Sequence, residues 1–563
     1  MRILFLSHAF NSLTQRLFVV LREQGHEVSV EFDINDTISE EAVERFAPDL
    51  VIAPFLKRAI PKSIWRHHTC FIVHPGIPGD RGPSALDWAI LNQEKTWGVT
   101  VLQANEVMDG GDIWAAVEFP MRSATKASLY RTEVTQAAVD AMLLAIDRFQ
   151  NGNYQPLPLN YSDPAIRGQA RPLMRQTERA IDWQTDSTET VLRKIHSADG
   201  FPGIQDELLG RTLFLYDAWE EKQLTGQAGE LLARCGPAIC RATRDGAVWI
   251  GHLRDKSHAH PFKLPATFLL DKQIEQLPEI LADVHRGYRD IGYEEEGQVG
   301  YLYFNFYNGA MSTSQCQRLR DAYRHAVQQN TRVIVLMGGR DYWSNGMHLN
   351  VIEAADSAAD ESWRNINAID DLALDIISTE KKWTIAALQG NAGAGGVFLA
   401  RAADEVWARE AVILNPHYKD MGNLYGSEYW TYLLPRHAGE ENAQRITQAR
   451  LPMGTREALD LGLIDEVIGG TQAAFTDKVK QRARSLVSAA AFEERLAHKK
   501  HVRTADEQQR PLQSYRDQEL ERMRMNFYGF DPSYHVARYN FVYKVPKSRT
   551  PLTIALHRRS KPH

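Results

Sequence analysis

The sequence predicts an α/β protein of several domains, and three short passages together with the chain length carry that reading. Residues 384–404, TIAALQGNAGAGGVFLARAAD, run an apolar strand into a glycine cluster that opens directly onto a helix. The opening MRILFLSHAF and residues 49–56, DLVIAPFL, read as buried strands of a parallel sheet. At 563 residues the chain has room for three or four domains, each with its own core.

The first domain is expected over residues 1–160. Ser7, His8, Asn11 and Gln15 interrupt the opening apolar run too early for a signal peptide. Residues 71–114 then place His74-Pro75 after a strand, a proline-rich loop, a helix carrying Trp88-Ala89-Ile90, the strand residues Gly98-Val99-Thr100, and the turn Asp109-Gly110-Gly111. This order resembles the amino-terminal domain of 10-formyltetrahydrofolate-dependent formyltransferases and hydrolases. The resemblance implies that His74 is the catalytic imidazole and Asp109, 35 positions later, the catalytic carboxylate. An imidazolium stabilises the tetrahedral oxyanion of formyl transfer, while the carboxylate orients the ring and relays the nucleophile's proton. Arg58, Ala59 and Ile60 match the segment where these enzymes touch the pteridine. The family also uses an asparagine two residues before the histidine, and here that position is Ile72. Either the domain is a weakened or inactive folate binder, or its nucleophile needs less help than an amine or water, as a thiolate would.

After a linker-like NGNYQPLPLNYSDP, residues 171–255 resemble the carboxy-terminal OB-like β-barrel of methionyl-tRNA formyltransferase, which gives a second domain over 161–270. With 65 basic and 71 acidic residues the chain lacks the cationic excess that dominates nucleic-acid affinity, so the barrel reads as a packing module. Residues 271–296, ending in Glu294-Glu295-Glu296, read as a helical joint.

In residues 297–485, the strand Val333–Met337 ends in GGRDYWSNGMHLN, and the glycine cluster Gly393, Gly395 and Gly396 follows some fifty residues later. Missing Cβ atoms let a carbonyl approach the main chain closely, and a helix start presents N–H groups to it. Each turn alone is an ordinary strand-to-helix connection. Together, as Asn345-Gly346-Met347-His348 and Gly390 to Gly396, they resemble the crotonase (enoyl-CoA hydratase/isomerase) superfamily and its ββα spiral domain. The resemblance implies a thioester oxyanion hole formed by the N–H groups of Asn345 and Gly395, beside Gly346 and Gly396, and hence a site for coenzyme A. Hydratases of the family carry glutamates where this chain has Phe398 and Tyr418. An aromatic ring cannot activate water, so hydration is not expected. Nearby, Pro416, Gly422 and Gly426 fold LNPHYKDMGNLYGSEYW so that Tyr418 and Glu428 can meet.

Residues 486–563 are expected as a helical carboxy-terminal region that begins amphipathic and ends in basic HRRSKPH. Four irregularly spaced cysteines, Cys70, Cys235, Cys240 and Cys316, make neither a disulfide frame nor a zinc site and fit a reducing cytoplasm. His258-Ala259-His260 lacks a third metal ligand, so no metal is expected. No apolar stretch reaches the length of a membrane span.

The order of the parts, with the Tyr-x9-Glu pair, resembles the HypX/HoxX family of hydrogenase maturation proteins. That resemblance implies carbon monoxide production from 10-formyltetrahydrofolate through formyl-CoA, with His74 and Asp109 serving the first step and Tyr418 and Glu428 the second. It leaves open which of Tyr418 and Glu428 moves the proton. Folate and coenzyme A are the expected small-molecule partners, with hydrogenase assembly proteins as further candidates and neither nucleic acid nor membrane. Two other functions stay open: formyl transfer to an amine with a non-catalytic second half, and a non-enzymatic scaffold that binds folate and coenzyme A.

Overall fold

A computed structural model describes residues 1–281 and 287–559, in two compact units: Met1–Tyr288 with Pro546–His563, and Arg289–Val545. The first unit opens with six strands, β1 (Arg2–Ser7), β2 (Glu27–Phe32), β3 (Leu50–Phe55), β4 (Cys70–His74), β5 (Thr96–Gln103) and β6 (Ile113–Pro120), in the order β2-β1-β3-β4-β5-β6. The first four pair in parallel, whereas β5 and β6 add antiparallel. Unbroken apolar runs such as Ile3–Leu6 and Leu50–Ala53 are buried, as strands covered on both faces must be. Because β3 and β4 are parallel, residues 56–61 and His74 leave the sheet at the same edge, where ligands of open α/β sheets bind.

The rest of this unit is a second sheet, antiparallel along the path Ile204–Leu208, Arg211–Glu221, Ala247–Arg254, Ala238–Ala242 and Leu231–Cys235, covered by the helix Thr188–Ala198. Asp87 sits between Lys126 and Arg179, at 2.9 Å from each, and ties the start of this region to the first sheet.

Two expectations at the joints differ from the structure. In the segment 271–296 the acidic end is a strand, Ile291–Glu296, not helix, because Gly297 at φ +61° turns the chain back onto Val299–Phe304. Residues 282–286 of that expected joint lie outside the described residues, as do 560–563 of the basic end. In the carboxy-terminal region, Phe492–Gln509, Leu512–Tyr528 and Ser533–Val542 are helices, but the first buries only Phe492 and Arg503 instead of the continuous apolar face of an amphipathic helix. The last residues instead belong to the first unit and line its sheet: the Val30 N–H donates to the Ile554 carbonyl at 2.9 Å, and His557 lies 2.8 Å from the buried Glu31 carboxylate. Pro546 and Pro551 exclude continuous helix there.

The second unit winds as a spiral. Five strands, Val299–Phe304, Val333–Gly338, Trp383–Leu388, Glu405–Arg409 and Glu466–Ile468, pair in parallel in one sheet, with Ile291–Glu296 antiparallel at the edge. Short strands Tyr342–Ser344, Asn391–Gly393, Ile413–Asn415 and Met453–Gly454 make a second sheet. After Val333–Gly338, Trp383–Leu388 and Glu405–Arg409 the chain crosses from the long sheet to the short one before entering a helix, and both glycine-rich turns lie at such crossings. Among the described residues no helix is long and apolar enough to cross a membrane.

Candidate functional site

In the first unit, β4 delivers His74 into a buried pocket where it is only 4% exposed. Its Nε2 lies 3.0 Å from Asp80 Oδ2, and its Nδ1 lies 3.7 Å from Asp109 Oδ1. The expected His74 and Asp109 are thus brought together, but a second carboxylate is nearer. Sequence reasoning missed Asp80; the local signal was an acidic residue in the proline-glycine loop just after the His-Pro pair. Gly76 is required by this approach, since a Cβ there would come within 2.6 Å of both the His74 ring and the Asp80 carboxylate. The loop is pinned by Thr100 Oγ1 donating to the Gly76 carbonyl at 2.8 Å and by Trp97 Nε1 donating to the Pro75 carbonyl at 3.0 Å. Asp109 holds φ +52°, and its Oδ2 accepts from the Gly82 N–H at 3.3 Å. Asp80 Oδ1, though buried, has no hydrogen-bond partner in the protein. Ile72 packs against an apolar cluster that includes Ala53, Ile60 and Cys70, so no side chain replaces the missing asparagine donor from that position. In the 56–61 loop, Arg58 turns to Asp36 at 2.7 Å, Ala59 is exposed, and Ile60 is buried.

In the second unit, Tyr418 and Glu428 meet as the glycines and proline of their loop suggested. The Tyr418 hydroxyl lies 2.5 Å from Glu428 Oε2 and 3.1 Å from the Ser427 carbonyl, and both side chains are buried. Phe398 stacks on Tyr418 with ring centroids 5.3 Å apart and 19° between planes, which makes the wall at the hydratase glutamate position apolar. A Cβ at Gly395 would collide with the Glu428 carboxylate, so this glycine lets the carboxyl stand directly over the start of the helix Gly395–Arg401. As the first two residues of that helix, Gly395 and Gly396 carry N–H groups that precede the first intrahelical bond.

The other half of the expected oxyanion hole is different. The Asn345 N–H donates to the Gly309 carbonyl at 2.7 Å, and its Nδ2 donates to the Asn308 carbonyl at 2.8 Å. The Gly346 N–H is directed at Ser344 Oγ, 3.1 Å away. Asn345 therefore fastens the left-handed Asn308-Gly309 turn, whose φ angles are +56° and +69°, instead of presenting its N–H to a ligand. A motif match gives the position of a backbone donor but not its partner.

Two further carboxylates, which sequence reasoning missed, surround the pair. Asp370 Oδ1 accepts from the Glu428 N–H at 2.8 Å, and Glu519 Oε2 accepts from the Tyr429 N–H at 3.0 Å. Glu519 Oε1 also accepts from the Thr431 N–H at 2.9 Å, at the start of the helix Trp430–Ala438, where an anion is favoured. These acceptors hold Glu428 and Tyr429 in left-handed conformation, φ +62° and +58°, which non-glycine residues adopt only at a cost of roughly 1 kcal/mol or more each. Burial, reinforced by Asp370, pushes the Glu428 carboxyl up to about 8. Burial likewise lifts Asp370 to about 6 and Glu519 to about 8, and holds the Tyr418 hydroxyl well above its ordinary range. The sequence signal for the two was faint: Asp370 is an acidic residue on the inward face of the amphipathic helix Ala358–Ile377, and Glu519 lies in the highly charged helix Leu512–Tyr528, whose pattern marks no inward face.

Comparison with known proteins agrees with both halves. The "Formyl transferase" family model matches residues 2–146, "Formyl transferase, C-terminal domain" matches 173–261, and "Enoyl-CoA hydratase/isomerase" matches 299–528. The chain is 58% identical over 561 residues to the hydrogenase maturation factor HoxX of Bradyrhizobium diazoefficiens, covering 99% of this chain and 97% of that protein. It is similar to the crystal structure of HypX from Aquifex aeolicus in complex with tetrahydrofolic acid, at 48% identity and TM-score 0.96 over 100% of both chains. The methionyl-tRNA formyltransferase of Syntrophus aciditrophicus is 25% identical over 202 residues, 35% of this chain and 63% of that protein.

Proposed function

The chain belongs to the HoxX/HypX family of hydrogenase maturation factors, and from that premise we propose that it converts the formyl group of 10-formyltetrahydrofolate into carbon monoxide by way of formyl-CoA. In the first unit, His74 stands between two carboxylates, the setting in which an imidazolium can stabilise the oxyanion formed when a thiol attacks the formyl carbon. Asp109 takes the thiol proton, the bond from the formyl carbon to N10 breaks, and the nitrogen takes a proton in return. The buried Asp80 Oδ1, with no partner in the protein, is an acceptor left for a ligand's donor. Tetrahydrofolic acid in the Aquifex aeolicus structure supports the folate half of this reading. Residues 58–60 would meet the pteridine through backbone, since the Arg58 side chain is turned to Asp36.

In the second unit, the start of the helix Gly395–Arg401 receives the thioester carbonyl, while Tyr418 and Glu428 manage the proton that leaves carbon and the proton that reaches sulfur. Phe398 keeps this place dry, because water attacking the same carbonyl would give formate. A thioester carbonyl fits the residues present through the Gly395 and Gly396 N–H groups at the helix start, with the Glu428 carboxyl packed beside Gly395. The observation that carries the proposal is the buried Tyr418–Glu428 pair standing over a crotonase-type glycine turn that lacks the hydratase glutamates.

The test incubates the purified protein with 10-formyltetrahydrofolate and coenzyme A and follows the Soret band of a haem protein for carbon monoxide. Stoichiometric carbon monoxide and tetrahydrofolate are expected. Formylated amine, formate alone, or binding without turnover would overturn the reading in favour of a transferase, a hydrolase or a scaffold.

A further inference from the structure

We propose that Glu428 stands protonated in the resting site, kept so by the carboxyl pair Asp370 and Glu519, and that it acts first as an acid toward the departing sulfur. This rests on the decarbonylation reading of the second unit and specifies its proton.

The Tyr418 hydroxyl has one hydrogen but faces two oxygens, Glu428 Oε2 at 2.5 Å and the Ser427 carbonyl at 3.1 Å. A carbonyl can only accept. Both contacts are satisfied when Glu428 carries a proton and gives it to Tyr418, which then donates to Ser427. The Ser427 hydroxyl repeats the pattern, with Asp370 Oδ2 at 2.8 Å and Glu519 Oε2 at 3.2 Å. A proton on one of those two carboxyls satisfies both contacts in the same way. The wall of the site therefore holds two protons on three carboxyls: one on Glu428, and one shared across Ser427.

Charge leads to the same count. The groups facing Glu428 are Tyr418 from its own loop, Asp370 from the helix Ala358–Ile377, Glu519 from Leu512–Tyr528, and the Cys316 thiol from Thr313–Gln328. The nearby cation is Arg516, 3.9 Å from Asp370 but 2.7 Å from Asp371, so much of its charge is spent outside the cluster. Three buried carboxylates beside a shared guanidinium cannot all ionise. Asp370 and Glu519 touch neither carbonyl nor sulfur in this reading, and they are positioning residues.

The chemistry balances without an added co-reactant. The carbon–sulfur bond breaks with its electron pair going to sulfur, which takes the Glu428 proton. The electron pair of the formyl carbon–hydrogen bond becomes the lone pair of carbon monoxide, and the released proton returns to the Glu428 carboxylate. Glu428 ends as it began, protonated.

The decisive measurement is infrared difference spectroscopy of the full-length protein against its Glu428→Gln variant, with no substrate present. A protonated-carboxyl stretch that shifts in heavy water, is present at pH 7 and is lost in the variant is expected. In Asp370→Asn, which keeps both hydrogen-bond positions but removes the charge, the band should titrate at least about one pH unit lower. The alkaline limb of carbon monoxide release should move with it, a displacement that simple structural damage would not produce. Glu519→Gln serves as a second charge-neutral variant if Asp370→Asn fails to fold. A missing band at pH 7, or a band whose titration ignores both variants, overturns the proposal even if carbon monoxide is made. A band that behaves as expected in a protein that makes no carbon monoxide leaves the proton assignment standing and removes the decarbonylation reading instead.

Discussion

A buried carboxyl that resists ionisation should weaken the fold as pH rises, and Glu428→Gln isolates that effect. In the unfolded chain the carboxyl ionises near its ordinary 4.5, whereas in the folded unit burial and Asp370 hold it near 8. Between those values the folded protein binds the proton that the unfolded chain has lost, so stability declines as pH rises through this window and levels off above it. The glutamine variant has no such proton. Its advantage over the parent should be small below about pH 4.5, open through pH 8 and stay constant beyond.

Lifting the carboxyl from 4.5 to about 8, at about 1.4 kcal/mol per pH unit, sets a ceiling of roughly 5 kcal/mol on the ionised form. Local relaxation and entry of water on ionisation reduce this, and about half, ~2–3 kcal/mol, is the value to plan for. In a unit of about 250 residues, 1 kcal/mol moves Tm by about 2–4 °C. The variant should therefore melt about 4–12 °C higher at pH 8.5 than the parent and within ~2 °C of it at pH 4.5. Calorimetry across that range, with the transition of the second unit resolved from the first, measures the gap directly. A gap independent of pH, or one that closes as pH rises, would refute the placement of Glu428 in a charge-hostile pocket.

The other expectations divide the two chemistries. His74→Ala and Asp109→Ala should each lower release of tetrahydrofolate by on the order of a hundredfold while calorimetry still detects coenzyme A binding; turnover at the parent rate would mean that Ile72 marks an inactive first site. Asp80→Asn keeps the contact to His74 but removes its charge, and a loss of about tenfold or more in the same assay is expected, against none if Asp80 is only a loop residue. With carbon-labelled formyl-folate, Tyr418→Phe should still deformylate the folate while labelled carbon monoxide collapses and formyl thioester or formate accumulates. Undiminished labelled carbon monoxide would exclude Tyr418 from the proton path. Gly395→Ala should abolish carbon monoxide but not folate turnover, because its Cβ occupies the place of the Glu428 carboxylate.

Much of this was legible from residue order. The parallel strands announced themselves as unbroken apolar runs, and the Tyr418–Glu428 meeting followed from the proline and glycines between them. Three features were not legible, each for a physical reason. The commitment of the Asn345 N–H depends on a left-handed turn at Asn308-Gly309, over thirty residues away, that no local pattern encodes. Asp80 lies in a loop, where no periodicity says which way a side chain points. Asp370 and Glu519 sit on helices whose charged residues mostly face solvent, and only tertiary packing turns these two inward.

The features that sequence did not reveal in the second unit belong together. A hydratase must bind and activate water, for which paired glutamates suffice; breaking a formyl thioester to carbon monoxide must exclude water while keeping one proton ready. An aromatic wall and neutral carboxyls meet the second demand and fail the first. The same two acceptors that hold the Glu428 and Tyr429 N–H groups in strained conformation share one negative charge beside Glu428. Position and protonation are thus set by one arrangement, and neither can be relaxed without the other. The strain at two successive left-handed residues and the pH-dependent loss of stability are then expected costs of the chemistry; Glu428→Gln keeps the first and removes the second, so it should stabilise the fold at alkaline pH as it removes the activity.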